Sequence, residues 1–410
     1  MPPSHSRAAV RLAACPPRSA AALALLALAC GGPNPDGQTG VTRRDSAGVA
    51  IYQAAGLGPR IEARETLRLG VVDGPPELTF FRLRDARLGP GGMIVVLDGG
   101  DDRVKLFDSA GRALRTLGGT GEGPAEFSAA WLLELRGDTL RVLDTDQRKI
   151  VTFSLDGELL ATRRIGFSVF QHGFPEAFAS APGGRLFIAG VRGCGFPRGP
   201  NDNQWGLFAF GPDGAVEDTL QLGFVRDALP VYASSGRSTA CTVIPWPFEA
   251  GPTLAFDPAG GGVWSPGDAF EIRWLDESLA RITAIMRYPV ERRAVTDAQR
   301  RAFQDILDAR EFLSEQFRRT VEQSADSAGY PDVWPAVEAL QVAGPGTVWA
   351  RRVTPTGAVE QEWDVLTDGR HVRTVVLPAA LRVTDIDGNR VLGAITDELD
   401  VEYVALFTVR

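Results

Sequence analysis

Histidine, lysine and cysteine are all scarce in this chain of 410 residues, and each scarcity narrows the chemistry open to it. The three histidines are His5, His172 and His371, and the first falls in an N-terminal leader. Two distant imidazoles cannot build a His-rich zinc site, although carboxylate-rich sites stay open, and no cofactor is expected. The two lysines, Lys105 and Lys149, stand against 41 arginines, a skew that reads as composition bias without chemical meaning. No G-x-S-x-G, H-E-x-x-H, P-loop or EF-hand loop is present, so the commonest hydrolytic, nucleotide-binding and calcium-binding patterns are missing. Excess positive charge is missing too, since the formal net charge is -8. Without its first 29 residues, which carry Arg7, Arg11 and Arg18 and no acid, the chain has 40 basic and 51 acidic residues. Such a chain repels phosphate backbones, and without a basic stripe interleaved with aromatics no nucleic-acid partner is expected.

Long apolar runs are also absent. The one near the start, Ala20 to Ala29, is too short to span a bilayer but suits the core of a signal peptide. It leads into Ala27-Leu28-Ala29-Cys30-Gly31-Gly32, which resembles the lipobox of bacterial lipoproteins, although that family prefers Leu three residues before the cysteine. Leu12-Ala13-Ala14-Cys15 fits the preference better but lacks an apolar core, and ordinary secretion with cleavage nearby is the alternative. The resemblance implies a signal peptide over 1–29, acylation of Cys30 and a lipid anchor, with Gly31 favouring the outer over the inner membrane. The Gly-, Pro- and Asn-rich stretch up to Gly48 reads as a flexible tether. Beyond it only Cys194 and Cys241 remain, and in an oxidising compartment they are expected to pair, the alternative being two buried thiols. Closing that loop would stabilise the fold by roughly 4 kcal/mol in the chain-entropy view.

The region 49–410 repeats itself. Thr66-Leu-Arg-Leu-Gly70, a Gly-Pro turn, Glu77-Leu78 and Leu83-Arg84-Asp85 recur as Leu114-Arg-Thr-Leu-Gly118, a Gly-Pro turn, Glu126-Phe127 and Leu132-Leu133-Glu134. Each period holds four short β-branched and aromatic runs separated by Gly and Asp-Gly turns, the pattern of a β-propeller blade. Fourth strands ending near Gly70, Gly118, Gly166, Gly223, Tyr288 and Pro378 predict six blades. The C-terminus supplies three strands, so the segment from about Ile61 to Leu69 is expected to complete the last blade and lock the ring. Asp98 and Asp144, at strand ends, are expected to accept hydrogen bonds from turn amides, and Asp101-Asp102 reads as a solvated turn. A helical insert spans 296–328, with a Thr296/Gln299 capping box and Phe303, Ile306, Leu307, Leu313, Phe317 and Val321 at helical spacing. It would be a packed decoration or a lid over the channel.

The stretches Gly121-Glu-Gly-Pro-Ala-Glu-Phe127, Ile94-Val-Val-Leu-Asp98, Val104-Lys-Leu-Phe-Asp108 and Asp397-Glu-Leu-Asp-Val-Glu-Tyr403 resemble bacterial six-bladed β-propeller lipoproteins, which are similar to NHL-repeat propellers. The resemblance implies an all-β six-bladed propeller over about 45–410 and little about activity, because such propellers include binding modules, lyases and lactonases. No metal-ligand or histidine set of those enzymes maps onto this chain. Candidate ligand-binding residues at a channel mouth are His172, Glu176, Arg192, Trp246, Trp334 and Arg352, with Arg351 beside them; surface or turn packing is the alternative for each. The expected function is a monomeric, non-catalytic binding or scaffold module of the cell envelope for a protein, peptide or glycan partner. The alternative is a channel-mouth hydrolase or lyase using a carboxylate-bound metal.

Overall fold

Ile94, Val95, Val96 and Leu97 are all fully buried, although consecutive strand residues point to opposite faces. Ile94 and Val96 join one apolar cluster and Val95 and Leu97 another, so the strand is buried on both sides. Sheets packed face to face around an axis produce such runs. The computed structural model describes residues 40–192, 204–224, 228–235, 238–246, 248, 251–309 and 315–410. Six four-stranded units appear among them. Blade one is Leu83–Leu88, Ile94–Asp98, Arg103–Phe107 and Ala113–Gly118. Blade two is Ala130–Arg136, Thr139–Asp144, Lys149–Ser154 and Leu159–Arg164. Blade three is Phe174–Ser180, Leu186–Arg192, Gln204–Phe210 and Val216–Phe224. Blade four is Thr253–Phe256, Gly262–Ser265, Glu271–Leu275 and Ile282–Arg287. Blade five is Val337–Gly344, Thr347–Arg352, Glu360–Thr367 and Arg370–Pro378. Blade six is Arg382–Asp387, Arg390–Thr396, Glu402–Thr408 and the N-terminal Arg64–Leu69. First strands of successive blades touch one another all the way round, from blade six back to blade one. They therefore form the inner wall of a ring, with an apolar cluster between each pair of neighbouring blades.

The closure by the N-terminal strand is present, with Val404 opposite Leu69 and Thr408 opposite Arg64. Its bounds are narrower than the expected Ile61–Leu69. Arg60–Glu62 instead runs parallel to the outer strand of blade five, pairing Val375 with Ile61. The stretch assigned to a tether is also shorter, because Val41–Ser46 and Val49–Ala54 form a hairpin. Its second strand runs parallel to the outer strand of blade four, with Tyr52 opposite Met286. An outer strand presents unpaired N–H and C=O groups, and these N-terminal strands satisfy them for two blades. Composition could not reveal this, since polar, Gly-containing edge strands resemble linkers. The remainder of the tether, the leader and Cys30 lie outside the described residues.

The two lysines correct the composition-bias reading. Lys105 is 2% exposed, and its Nζ donates to the carbonyls of Pro76 at 3.0 Å and Thr79 at 2.8 Å and to Asp98 Oδ2 at 2.7 Å. Lys149, also buried, donates to the carbonyl of Gly123 at 2.9 Å. Burial holds its amine below the ordinary range against the opposing pull of Asp144 and Glu126. Both ammonium groups thus pin the Gly-Pro connection ahead of an inner strand. Arginine's planar fork does not reproduce a tetrahedral donor with three acceptors around it. Asp98 also accepts from Phe81 N and Gly100 N, and Asp144 from Ser128 N, as expected for turn-capping acids. Asp102, by contrast, is not solvated: it is buried and accepts from Ala130 N of blade two at 3.0 Å.

Gly118 ends blade one at φ +81°, and a Cβ there would lie 2.4 Å from the Phe127 ring. Gly118→Ala is therefore expected to cost about 1–3 kcal/mol, from left-handed strain and displacement of a fully buried ring. Urea unfolding checks this, and an unchanged midpoint would contradict it.

The insert is a pair of helices, Asp297–Asp308 and Glu315–Ala328. Thr296 Oγ1 accepts from Gln299 N at 3.3 Å and Gln299 Oε1 from Thr296 N at 3.0 Å, completing the capping box. Phe303, Leu307 and Val321 are buried with Trp246, Phe248, Trp334 and Val353. Ile306, assigned to the buried stripe, is 51% exposed. Leu313 and the side chain of Phe317 lie outside the described residues. Among the described residues no helix is long and apolar enough to cross a membrane.

Candidate functional site

Antiparallel strands bring the start of each first strand and the end of each second strand to one face of the ring, termed here the upper face. A cavity of about 710 Å³ runs along the axis, walled by residues from the first strands. The first strand of a blade has no sheet partner on its axial side, so its N–H groups there need other acceptors. Acids of the preceding blade supply them. Asp385 Oδ2 accepts from Leu88 N at 2.7 Å, Asp85 Oδ2 from Leu133 N at 3.1 Å, and Glu134 Oε1 from Ser180 N at 2.7 Å. These carboxylates stitch blade six to one, one to two, and two to three. The repeated acid in Leu83-Arg84-Asp85 and Leu132-Leu133-Glu134 was visible in the sequence, but not its target.

Arginines complete the wall. Arg87 pairs with Asp85 at 2.8 Å and donates to the carbonyl of Thr384 at 2.8 Å. Arg136 donates to the carbonyl of Ser180 at 2.9 Å, and Arg351 lies 2.8 Å from Glu338. Burial holds the Asp385 carboxyl above its ordinary value, against the pull of Arg87 and the Leu88 N–H. The lining mixes apolar residues such as Leu133, Leu254 and Phe256 with charged groups of both signs that are largely held by hydrogen bonds. Among the described residues no three His, Cys, Asp or Glu side chains gather as a metal site would require.

The strand register bends at the upper mouth. A β-bulge leaves Arg84, Trp131, Glu176, Glu338 and Thr384 as the extra residue in the first strands of blades one, two, three, five and six. Bulges re-aim side chains, and here they recur at one level of the ring.

The sequence-derived candidates share this face by topology but not one site. Glu176 is exposed and lines the cavity, as does Arg351. His172 is buried, stacked on Phe167 with centroids 5.5 Å apart and edge-on to Phe208 at 4.7 Å, and Ser168 N donates to its Nδ1 at 2.9 Å. Trp246 and Trp334 lie in the core of the helical insert, and the Trp334 indole donates to Gln299 Oε1 at 3.2 Å. Arg352 is committed inside blade five, where it chelates the fully buried Asp364 at 2.7 and 2.8 Å. Arg192 ends a strand, but its side chain and Cys194 lie outside the described residues. Cys241 belongs to the strand Ser238–Pro245, with its side chain likewise undescribed, so the proposed pairing is not visible.

Asp364 anchors a cluster that the sequence did not announce. Its Oδ1 also takes His371 Nε2 at 2.8 Å and Thr374 Oγ1 at 2.9 Å, and His371 Nδ1 accepts from Gly58 N at 3.0 Å. The four side chains are scattered between 352 and 374, and strand pairing alone brings them together.

A family model described as a 6-bladed β-propeller matches residues 90–184. The chain is a six-bladed β-propeller. Among solved structures, this propeller is similar to one described as an exported protein of Bacteroides fragilis, with 9% identity, 86% of this chain and 99% of that one covered, and a TM-score of 0.47. It is also similar to a virginiamycin B lyase from Staphylococcus aureus, with 11% identity, 84% and 99% covered, and a TM-score of 0.42. A third similar structure comes from Bacteroides vulgatus, with 8% identity, 85% and 98% covered, and a TM-score of 0.48. The curated proteins give no match. At these identities no activity passes from those proteins to this propeller.

Proposed function

We propose that this propeller is a lipid-anchored, non-catalytic binding module of the cell envelope, held by Cys30 and presenting the upper mouth of its axial cavity to a polar ligand or a partner protein. The observation that carries the reading is the wall of the cavity. Its acids and arginines are tied to backbone amides, carbonyls and one another, which suits a rigid recognition surface better than groups poised to move protons. A reading as a carboxylate–metal hydrolase or lyase has no gathered ligand set to support it among the described residues. The leader supports export, a Cys194–Cys241 bond would suit that compartment, and Gly31 favours the outer membrane.

Two measurements test the proposal. Cys30→Ala is expected to move the protein from the membrane fraction to the soluble envelope fraction, and unchanged fractionation would remove the anchor. Ala179 lines the cavity, so Ala179→Phe is expected to narrow it and to reduce cross-linked capture of envelope components at least tenfold. Undiminished capture would overturn the use of the axial cavity.

A further inference from the structure

Arg84 has an unusual setting. As a bulge residue at the upper mouth it lies flat over Gly99, where a Cβ would stand 2.7 Å from Arg84 Cγ, so only glycine leaves room. Its guanidinium stacks 4.2 Å above the Trp131 ring. Yet among the described residues it makes no hydrogen bond, and its Nε is buried without a partner. Arg82 lies 5.0 Å over the exposed Phe81 ring, also with no carboxylate among the described residues. Arg382 adds a third cation by donating to the carbonyls of Arg84 and Leu83.

The acids nearby make their direct contacts elsewhere, although Asp101 Oδ1 has no hydrogen-bond partner. Glu402 accepts from Leu83 N, Asp102 from Ala130 N, Asp98 takes Lys105, and Asp101 lies 3.7 Å from Lys105 and 3.8 Å from Arg103. Burial, with the charges of Arg82 and Arg382, holds the Arg84 pKa below its ordinary value against the opposing pull of Asp102 and Glu402. A half-buried guanidinium that feels the charges of Asp102 and Glu402 but donates to no acceptor among the described residues leaves hydrogen-bonding capacity open at the mouth. The open guanidinium N–H groups of Arg84, with the exposed Arg82 beside them, suit an acceptor brought by a ligand, and a carboxylate matches their fork.

The surroundings select the kind of carboxylate. Phe81 is 62% and Phe174 56% exposed, and Phe174 lies 6.0 Å from Trp131. Trp131, the ring best suited to stack on a sugar, already carries Arg84 on its face, and its indole donates to the carbonyl of Pro175 at 2.9 Å. What remains open is phenylalanine beside arginine, the composition of a protein-binding hot spot.

We propose that the strip formed by Phe81, Arg82, Arg84, Trp131 and Phe174 docks an acidic peptide segment of a partner protein. Carboxylates of the segment are taken by Arg82 and Arg84, and its apolar side chains pack on Phe81 and Phe174. The proposal rests on the binding-module reading and names the partner class.

The test is fluorescence anisotropy on the full chain with a labelled peptide alternating Glu and Phe, compared with its Gln–Phe counterpart. The Glu peptide is expected to bind at least tenfold more tightly, with a gap that shrinks as salt rises. Arg84→Gln and Arg82→Gln are each expected to weaken it about tenfold or more, whereas Arg112→Gln on the far-exposed rim leaves it unchanged. Arg82 is exposed, so its variant keeps the test valid should Arg84→Gln fold poorly. Equal binding of the two peptides, insensitivity to both substitutions, or binding of polygalacturonate in place of the peptide would each overturn the site. If Ala179→Phe abolishes envelope capture while Arg82→Gln and Arg84→Gln do not, the docking strip fails and the binding-module reading survives. Capture unaffected by all three sinks both.

Discussion

Replacing Asp364 by Ala is expected to destabilise the protein by about 3–5 kcal/mol, because it strands buried partners of a carboxylate that is itself fully buried. Arg352 would lose its bidentate acceptor, and His371 and Thr374 would lose theirs. The damage reaches the N-terminal segment, since His371 is the acceptor for Gly58 N. Hydrogen exchange at Gly58 and along Arg60–Glu62 is therefore expected to rise in the variant. The pH dependence has a definite sign. Burial pushes the Asp364 carboxyl up, but hydrogen bonds from His371 and Arg352 outweigh it and hold it below its ordinary value of 3.8. A depressed carboxylate stabilises fully above its unfolded pKa, and the contribution is lost as pH falls through the folded value. The part of the stability gap between the wild type and Asp364→Asn that comes from the carboxylate should thus be lost below about pH 4, so the gap should shrink between about pH 5 and pH 3. Urea unfolding across that range measures it, and a gap that widens on acidification would refute the assignment.

Lys105→Ala is the second large effect, again about 3–5 kcal/mol, since it leaves Asp98 buried at 2% exposure without its cation. The carbonyls of Pro76 and Thr79 lose their donor in the same step, so the connection ahead of blade one should loosen first. Asp98→Ala is expected to cost a similar amount, and the double variant clearly less than the sum, because each single change already destroys the shared interaction. Lys149→Met should be milder, since that amine reaches one carbonyl, at Gly123, and its pairing with Asp144 is not a direct contact. A double-mutant cycle in urea decides: strict additivity of Lys105→Ala and Asp98→Ala would show that the buried pair does not act as a unit.

These two clusters show how differently parts of the molecule could be read in advance. The blade pattern was legible because each period repeats the same apolar runs and turns, and the core between blades follows from runs such as Ile94–Leu97. The helix pair announced itself through Thr296, Gln299 and the spacing of Phe303 and Leu307, although Ile306 turned out to face solvent. The roles of Lys105 and Lys149 were not legible, because a residue count carries no information about place. The candidate site residues lie near strand ends, and that topology brings Glu176, Arg352 and their neighbours to one face. Side-chain direction then parts them, with His172 sealed among Phe167, Phe208 and Phe210 and Arg352 turned into blade five.

What local sequence determined was the strand repertoire, the number of blades and the use of an N-terminal strand to close the last one, since hydrophobic periodicity and turn chemistry act over a few residues. Only the tertiary structure decided which charges meet. Asp385 with Leu88, Arg84 with Trp131 and His371 with Gly58 are brought together by closing a ring, and electrostatic partners depend on distance in space, which no spacing along the chain encodes.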